Sequence, residues 1–168
     1  MNTRSPEATA ARLRREFDAS FADPPHARME GAVDLLEIRI GAEQVALYTD
    51  SISAVRVGIQ VTPVPTPVPS LLGIASADGQ IVAVHDLAKV LRFGQQQEPR
   101  WLASVRGHAI AFAFTAFDRH VRVEAAAILA TADHVITTTH GNFTQDNGLR
   151  LALVDCVQLC NQLPTART

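Results

Sequence analysis

The sequence lacks the motifs by which enzymes and cofactor-binding domains are usually recognised. It has neither a phosphate-cradling glycine-rich loop nor a dinucleotide fingerprint, and its six histidines show no metal-ligand spacing. The nearest approach to a nucleophile elbow, Gly73 to Gly79, places two residues on each side of Ser76 where the elbow has one. We therefore predict a non-enzymatic protein without a cofactor or metal.

A strong net charge and long apolar runs are also missing. The chain has 15 basic and 17 acidic residues, a balance that gives no reason to expect nucleic acid or an anionic membrane as partner. No stretch approaches the roughly 18 uninterrupted apolar residues of a membrane span, and the start, Met1 to Arg4, lacks the apolar run of a signal peptide. We expect a cytoplasmic protein that does not insert into a membrane.

Cysteine is scarce, and its placement does not favour a metal site. Cys156 and Cys160 lie four residues apart, on one face of a predicted helix. Together with His134 or His140 they could ligate a metal, but structural zinc prefers closely spaced pairs on tight turns and four ligands. We interpret both as reduced thiols that fill the core.

One structural unit does occur, and it occurs twice. In the first copy Asp78-Gly79 predicts a hairpin turn, because glycine accepts the positive φ of a tight turn. Gln80 to Val84 then predicts a short buried strand. Asp86 is placed to cap a helix whose apolar face begins at Leu87.

The second copy follows 69 residues later. Asn147-Gly148 is its turn, Leu149 to Val154 its strand and Asp155 its cap. The turn glycine and the capping aspartate are seven residues apart in both copies (79 to 86 and 148 to 155). Two copies suit a domain built from two related halves.

The remaining pattern predicts short strands, with a helix at the start of the chain. Ser5-Pro6 can begin an N-terminal helix, followed by a linker up to residue 32. Prolines at every second position from Pro63 to Pro69 predict an extended crossing loop, or alternatively a ligand for a proline-binding domain. Further strands are predicted at residues 35–40, 45–48, 51–57, 100–105 and 109–114. Many short strands with few helices favour small barrels or a sandwich.

A resemblance to a known family emerges from the first copy and its surroundings. Val68 to Leu87 resembles the central signature of CheW-like domains: Pro, a few apolar residues, Gly-Val-Ile-Asn-Leu-Arg-Gly, and an apolar strand that ends in Asp-Leu before a short helix. Leu36 to Gly41 is similar to the opening strand of the family, and Ile52 to Val57 falls at its Val-x-Glu-Ile strand. Ala111 to Phe117 matches more weakly. The resemblance covers about residues 33 to 161.

The resemblance implies a mainly β fold of two five-stranded SH3-like barrel lobes that share a core, as a single domain over residues 33–163. It also implies a scaffold without catalysis or cofactor. Such adaptors join the cytoplasmic tips of chemoreceptors to the regulatory domain of a sensor histidine kinase. One barrel end stacks on the kinase domain, and a groove between the lobes receives the receptor helix.

Four residues are the predicted partner contacts. Ile52, Val55 and Val57 are expected to be exposed apolar residues at a barrel edge, where such a patch marks an interface. Asp78 stands where the family has Arg, which reverses a charge at a position tied to partner contact. This reversal suggests a divergent member that serves a specialised pathway, either motility by pili or gliding or an accessory system.

Two other functions compete with this interpretation. One is a divergent barrel protein that sequesters a single partner or binds a peptide. The other is a small hydrolase that uses Ser76, or His85 with Asp86. Neighbouring residues on a strand point to opposite faces, and Asp86 already serves as a helix cap, so we do not expect a catalytic His85–Asp86 pair.

Overall fold

The computed structural model describes residues 31–58, 60–77, 79–94, 98–129, 141–145 and 148–163. The predicted N-terminal helix and Asp78 lie outside the described residues, as does Asn147. Within them are eleven strands and two short helices: β1 Ala32–Ile40, β2 Glu43–Tyr48, β3 Ile52–Val57, β4 Leu71–Ala77, β5 Gln80–Asp86, α1 Leu87–Val90, β6 Trp101–Val105, β7 Ile110–Phe114, β8 Ala116–Glu124, β9 Ile128–Leu129, β10 Gly141–Thr144, β11 Arg150–Val154 and α2 Cys156–Asn161.

The strands form two sheets, each the basis of one lobe. Sheet A has the order β8-β1-β2-β11-β10-β9, and sheet B has the order β3-β6-β7-β5-β4. The predicted mainly β fold with two lobes is therefore confirmed. Sheet A has six strands rather than five because the two-residue strand β9 pairs with β10.

The duplicated unit is present in both sheets with the same geometry. The hairpin β4–β5 leads into α1 in lobe B, and the hairpin β10–β11 leads into α2 in lobe A. The turn glycines Gly79 and Gly148 have φ of 73° and 80°. Gly73 and Gly141, in the first strand of each hairpin, have φ of 152° and 156°. In each copy the strand after the turn also pairs in parallel with a distant strand, β5 with β7 and β11 with β2.

The two halves of the chain do not correspond to the two lobes. Strands β1 and β2 of the first half belong to sheet A with β8 to β11, and strands β6 and β7 of the second half belong to sheet B with β3 to β5. Each half thus gives its first hairpin to one lobe and its remaining strands to the other. The expectation of two related halves stands, but each lobe is built from both.

Three groups of buried residues stabilise this arrangement. The interior of lobe B is small and aliphatic, with Val82 and Val84 among alanines, and that of lobe A includes Leu35 and Phe143. The largest group lies between the sheets and joins residues of both with both helices, which confirms the shared core. It contains Ile38, Ile40, Val45, Leu47, Ile52, Leu87, Ala88, Leu91, Ala103, Val105, Phe112, Phe114, Val154, Cys156, Leu159 and Cys160.

Both predicted helix caps are formed. The Asp86 carboxylate accepts a hydrogen bond from the Ala88 amide at 3.0 Å. Asp155 accepts from the amides of Val157 and Gln158 at 2.9 and 3.1 Å. A side-chain oxygen in this position satisfies amides that the first helical turn leaves without partners.

The proline-rich segment joins β3 to β4 as an extended crossing loop. It meets sheet B through one bridge, in which Thr62 and Ile74 exchange two backbone hydrogen bonds of 2.8 and 2.9 Å. Gly73 makes this approach possible, because a Cβ there would lie 2.1 Å from the Thr62 carbonyl oxygen.

Candidate functional site

The predicted edge residues lie on β3, which is an edge strand of sheet B. Val57 is 59% exposed and Val55 is half-buried. Ile52 is only 5% exposed, so its expected exposure is wrong. The reason is that Ile52 lies opposite Val105 at the inner end of β3 and joins the core between the lobes.

An aromatic group adjoins Val57 where the two lobes meet. Trp101 pairs with Val57 across β3 and β6. Its ring lies 6.4 Å from that of Phe114 and 5.8 Å from that of Phe117, which belongs to β8 of sheet A. Trp101 and Phe117 are half-buried. Val57 therefore extends the shared core into an apolar surface at the junction of the lobes.

A second apolar surface lies on the β4–β5 hairpin. Ile81 is 70% exposed and Ile74 is 36% exposed. Both belong to the outer face of the β4–β5 hairpin, since Ile81 lies opposite Ser76 and residues 74 and 76 share one face. The expected burial of β5 from residue 80 is thus wrong at its start, where Gln80 and Ile81 are exposed.

The sequence contained a signal for this surface. Val82 and Val84 point into lobe B, so the alternation of a strand turns Ile81 and Ala83 to the opposite face. The continuous apolar run hides this alternation, so the sequence pattern alone predicts a buried Ile81, which is 70% exposed.

The duplicated hairpin of lobe A serves as an internal reference. Aligning Gly73 with Gly141 places Asn142 at the position of Ile74, and aligning Gly79 with Gly148 places Arg150 at the position of Ile81. Arg150 is exposed and Asn142 is half-buried. The same hairpin backbone therefore forms with polar residues at these two positions. Isoleucine at positions 74 and 81 is not required for the hairpin of lobe B to fold. Neighbouring exposed apolar groups that form one contiguous surface are typical of interfaces.

A polar cleft of about 340 Å³ lies where the chain leaves β2 beside α2; it is lined by Tyr48, Asp50, Ser51, Asp155, Val157 and Gln158. The Ser51 hydroxyl links the end of β2 to the start of α2, because it donates to the Tyr48 carbonyl at 2.7 Å and accepts from the Cys156 amide at 3.1 Å. Burial, with the nearby Asp155 charge, raises the pKa of Tyr48. The cleft offers carboxylates and a phenol.

Comparison with known proteins places this geometry in a family. The family model described as "CheW-like domain" matches residues 34–163, which is more than half of the chain. The chain belongs to the CheW-like domain family. Its fold is similar to that in the crystal structure of the scaffolding protein TtCheW from Thermoanaerobacter tengcongensis, with a TM-score of 0.65 at 16% identity, over 73% of this chain and 88% of that chain. No curated protein matches.

Ser76, His85 and Asp86, the residues of the alternative hydrolase hypothesis, do not form a catalytic group in this CheW-like domain. The His85 Nδ1 atom lies 3.1 Å from the Ser70 hydroxyl, and both side chains are buried. Burial lowers the pKa of His85. Because Asp86 caps α1, the two neighbours do not form a pair, and Ser76 points outward from β4.

The two thiols are core residues, as predicted. Burial raises the pKa of Cys156 to about 12 and that of Cys160 to about 11, so neither is a reactive thiolate near neutral pH. The described residues contain no group of three or more side chains suited to a metal ion. Nor does the described part of the chain include a helix long and apolar enough to span a membrane.

Proposed function

We propose that this chain is a non-enzymatic cytoplasmic adaptor of a bacterial chemosensory pathway, which couples chemoreceptor tips to the regulatory domain of a sensor histidine kinase in a specialised motility system. One observation carries the proposal. Lobe B of a CheW-like fold exposes Ile74 and Ile81 where the duplicated hairpin of lobe A has Asn142 and Arg150. An adaptor needs such surfaces, and it needs no catalytic site.

Two contact regions follow from this proposal. The hairpin surface of Ile74 and Ile81, together with the turn at Asp78, would receive the barrel end of the kinase domain. The junction beside Val55, Val57 and the half-buried ring of Trp101 would receive the receptor helix. The regions lie on different strands of sheet B, so both partners can bind at once.

The sharpest test replaces an exposed isoleucine by the residue of the other lobe. Ile81→Arg should weaken binding to the kinase regulatory domain by about tenfold or more, since it places a charge within an apolar contact. Receptor-tip binding should be unchanged. Calorimetric titration of both partners measures the affinities, and Arg150→Ile at the equivalent site of lobe A is the matched control, expected to alter neither.

The outcomes separate the possible functions. Binding of both partners by the wild type, with selective loss in Ile81→Arg, supports coupling. Binding of one partner only would instead favour the sequestering role, and binding of neither would refute the coupling function while leaving the fold intact. Emission from Trp101, the only tryptophan, reports independently on whether a ligand covers Val57.

The reversed charge at Asp78 gives a second prediction. Asp78→Arg should leave folding intact and change partner affinity, because a carboxylate repels a surface built to receive Arg and attracts a basic one. Titration with the same two partners detects the change, and thermal unfolding monitors the fold. A fall of several degrees in melting temperature would show instead that Asp78 is structural.

A further inference from the structure

Strand β3 leaves one edge of its backbone open. Gly58 donates to the Arg100 carbonyl at 3.1 Å, which marks a hydrogen-bonded pair at the end of the β3–β6 ladder. Such pairs alternate along antiparallel strands, so Arg56 also bonds towards β6, while the N–H and C=O groups of Val55 and Val57 point away from it. Among the described residues, no hydrogen bond reaches these outward groups of Val55 and Val57.

The other sheet edges are protected against pairing. In sheet A, β8 lies beside β1 as β3 lies beside β6, but β8 is covered by charge. Its side chains form arginine–carboxylate ion pairs with β1: Arg122 with Asp34 at 2.8 Å, Arg119 with Glu37 at 2.7 Å and Asp118 with Arg39 at 2.9 Å. Strand β9 has only two residues, and Thr62, just before the proline-rich segment, bridges β4 at Ile74. Charge, short length and proline are the usual means of blocking an edge.

We propose that the open edge of β3 pairs antiparallel with β3 of a second copy of this chain, in a register centred on Val55. The strand is self-complementary in this register. Val55 faces Val55 of the second copy and Arg56 faces the small Ala54, and the register shift between Ile52 and Ala54 limits the regular pairing to residues 54–56. A register centred on Arg56 would place two guanidinium groups directly opposite each other, which is unfavourable.

The two-fold symmetry of this contact limits the assembly to two copies. A two-fold pairing uses the same edge on both copies and closes on itself, so association stops at a dimer. The paired strands bring together few apolar side chains beyond Val55 and Val57. An interface that buries so little apolar surface is weak and reversible. The dimer covers both valines, so self-association competes with any ligand at the lobe junction. The inference does not depend on receptor or kinase binding, because it concerns the purified chain alone.

Sedimentation equilibrium of the full chain over a wide concentration range is the first test. The wild type should show a reversible monomer–dimer equilibrium. Val55→Pro should be monomeric throughout, because it removes the outward N–H but no bond to β6. Val55→Thr keeps the N–H and a β-branched shape, so it should still dimerise. A monomeric wild type, or a dimer that survives Val55→Pro, would overturn the proposal.

Cysteine cross-linking tests the register, even where the proline variant fails to fold. In the proposed dimer the two Val55 Cα atoms are a hydrogen-bonded pair about 5.5 Å apart, within reach of a disulfide. The two Val57 positions are about 13 Å apart. Val55→Cys should therefore cross-link on mild oxidation and Val57→Cys should not, although Val57 is the more exposed. Equal cross-linking of both, as random collision gives, would refute the register.

Discussion

At the scale of single residues, Gly73 is the position least able to change. Its φ of 152° is rarely adopted by other residues, and a Cβ would meet the Thr62 carbonyl oxygen at 2.1 Å. We predict that Gly73→Ala lowers the free energy of unfolding by about 2–4 kcal/mol, since strain and loss of the Thr62 bridge act together. Urea denaturation measures this loss.

Gly79 provides the control for that prediction. It has a φ of 73°, but the space where a Cβ would lie is open. Gly79→Ala should therefore cost only the unfavourable backbone conformation, about 1–2 kcal/mol. Equal losses in the two variants would mean that close approach of the proline-rich segment contributes nothing to stability.

The exposure of the predicted contact residues shows how far a sequence pattern can predict burial of single residues. Val57 is exposed as expected, whereas Ile52, on the same strand, is buried. The alternation of a strand tells which residues share a face, but not where along the strand a second lobe covers that face. This burial depends on the packing of sheet A against sheet B, which local pattern does not encode. Asp78 lies outside the described residues, so its contact role stays a prediction.

At the scale of elements, the capping aspartates start two helices too short to persist alone. Helix α1 has four residues and α2 has six, far below the length at which isolated helices are stable. Their positions depend on caps and on burial of Leu87 and Leu159 in the shared core. The cap signal is local, which is why both helix starts could be predicted from sequence.

We predict that Asp86→Ala lowers the free energy of unfolding by about 1 kcal/mol through loss of the bond to the Ala88 amide. Asp86→Asn should recover most of the loss, because an amide oxygen can accept the same hydrogen bond. Chemical denaturation of the three proteins compares them directly. A cost near zero for the alanine variant would indicate that α1 does not depend on this cap.

At the scale of the whole molecule, the duplication could be predicted but its exchange of strands could not. The turn–strand–cap–helix unit is contiguous, so its two copies are visible in the sequence. The parallel pairs β5 with β7 and β11 with β2 join residues far apart in the chain. Nothing in a local pattern of alternation selects such a partner. The strand pattern alone does not distinguish small barrels from a sandwich. The two-lobe fold is predicted only by the resemblance to the family.

This exchange predicts how the chain behaves when it is cut between its halves. The test introduces a protease site between Gly94 and Glu98, in the connection from α1 to β6, and cleaves the purified protein there. The fragments should remain together, because each sheet contains strands from both and the shared core buries residues of both. They should elute as one species in gel filtration and separate only in denaturant, with a lower melting temperature, since the cut removes the covalent link between the halves. Fragments that separate under native conditions, each still folded, would show that every half forms its own lobe and would contradict the observed strand order.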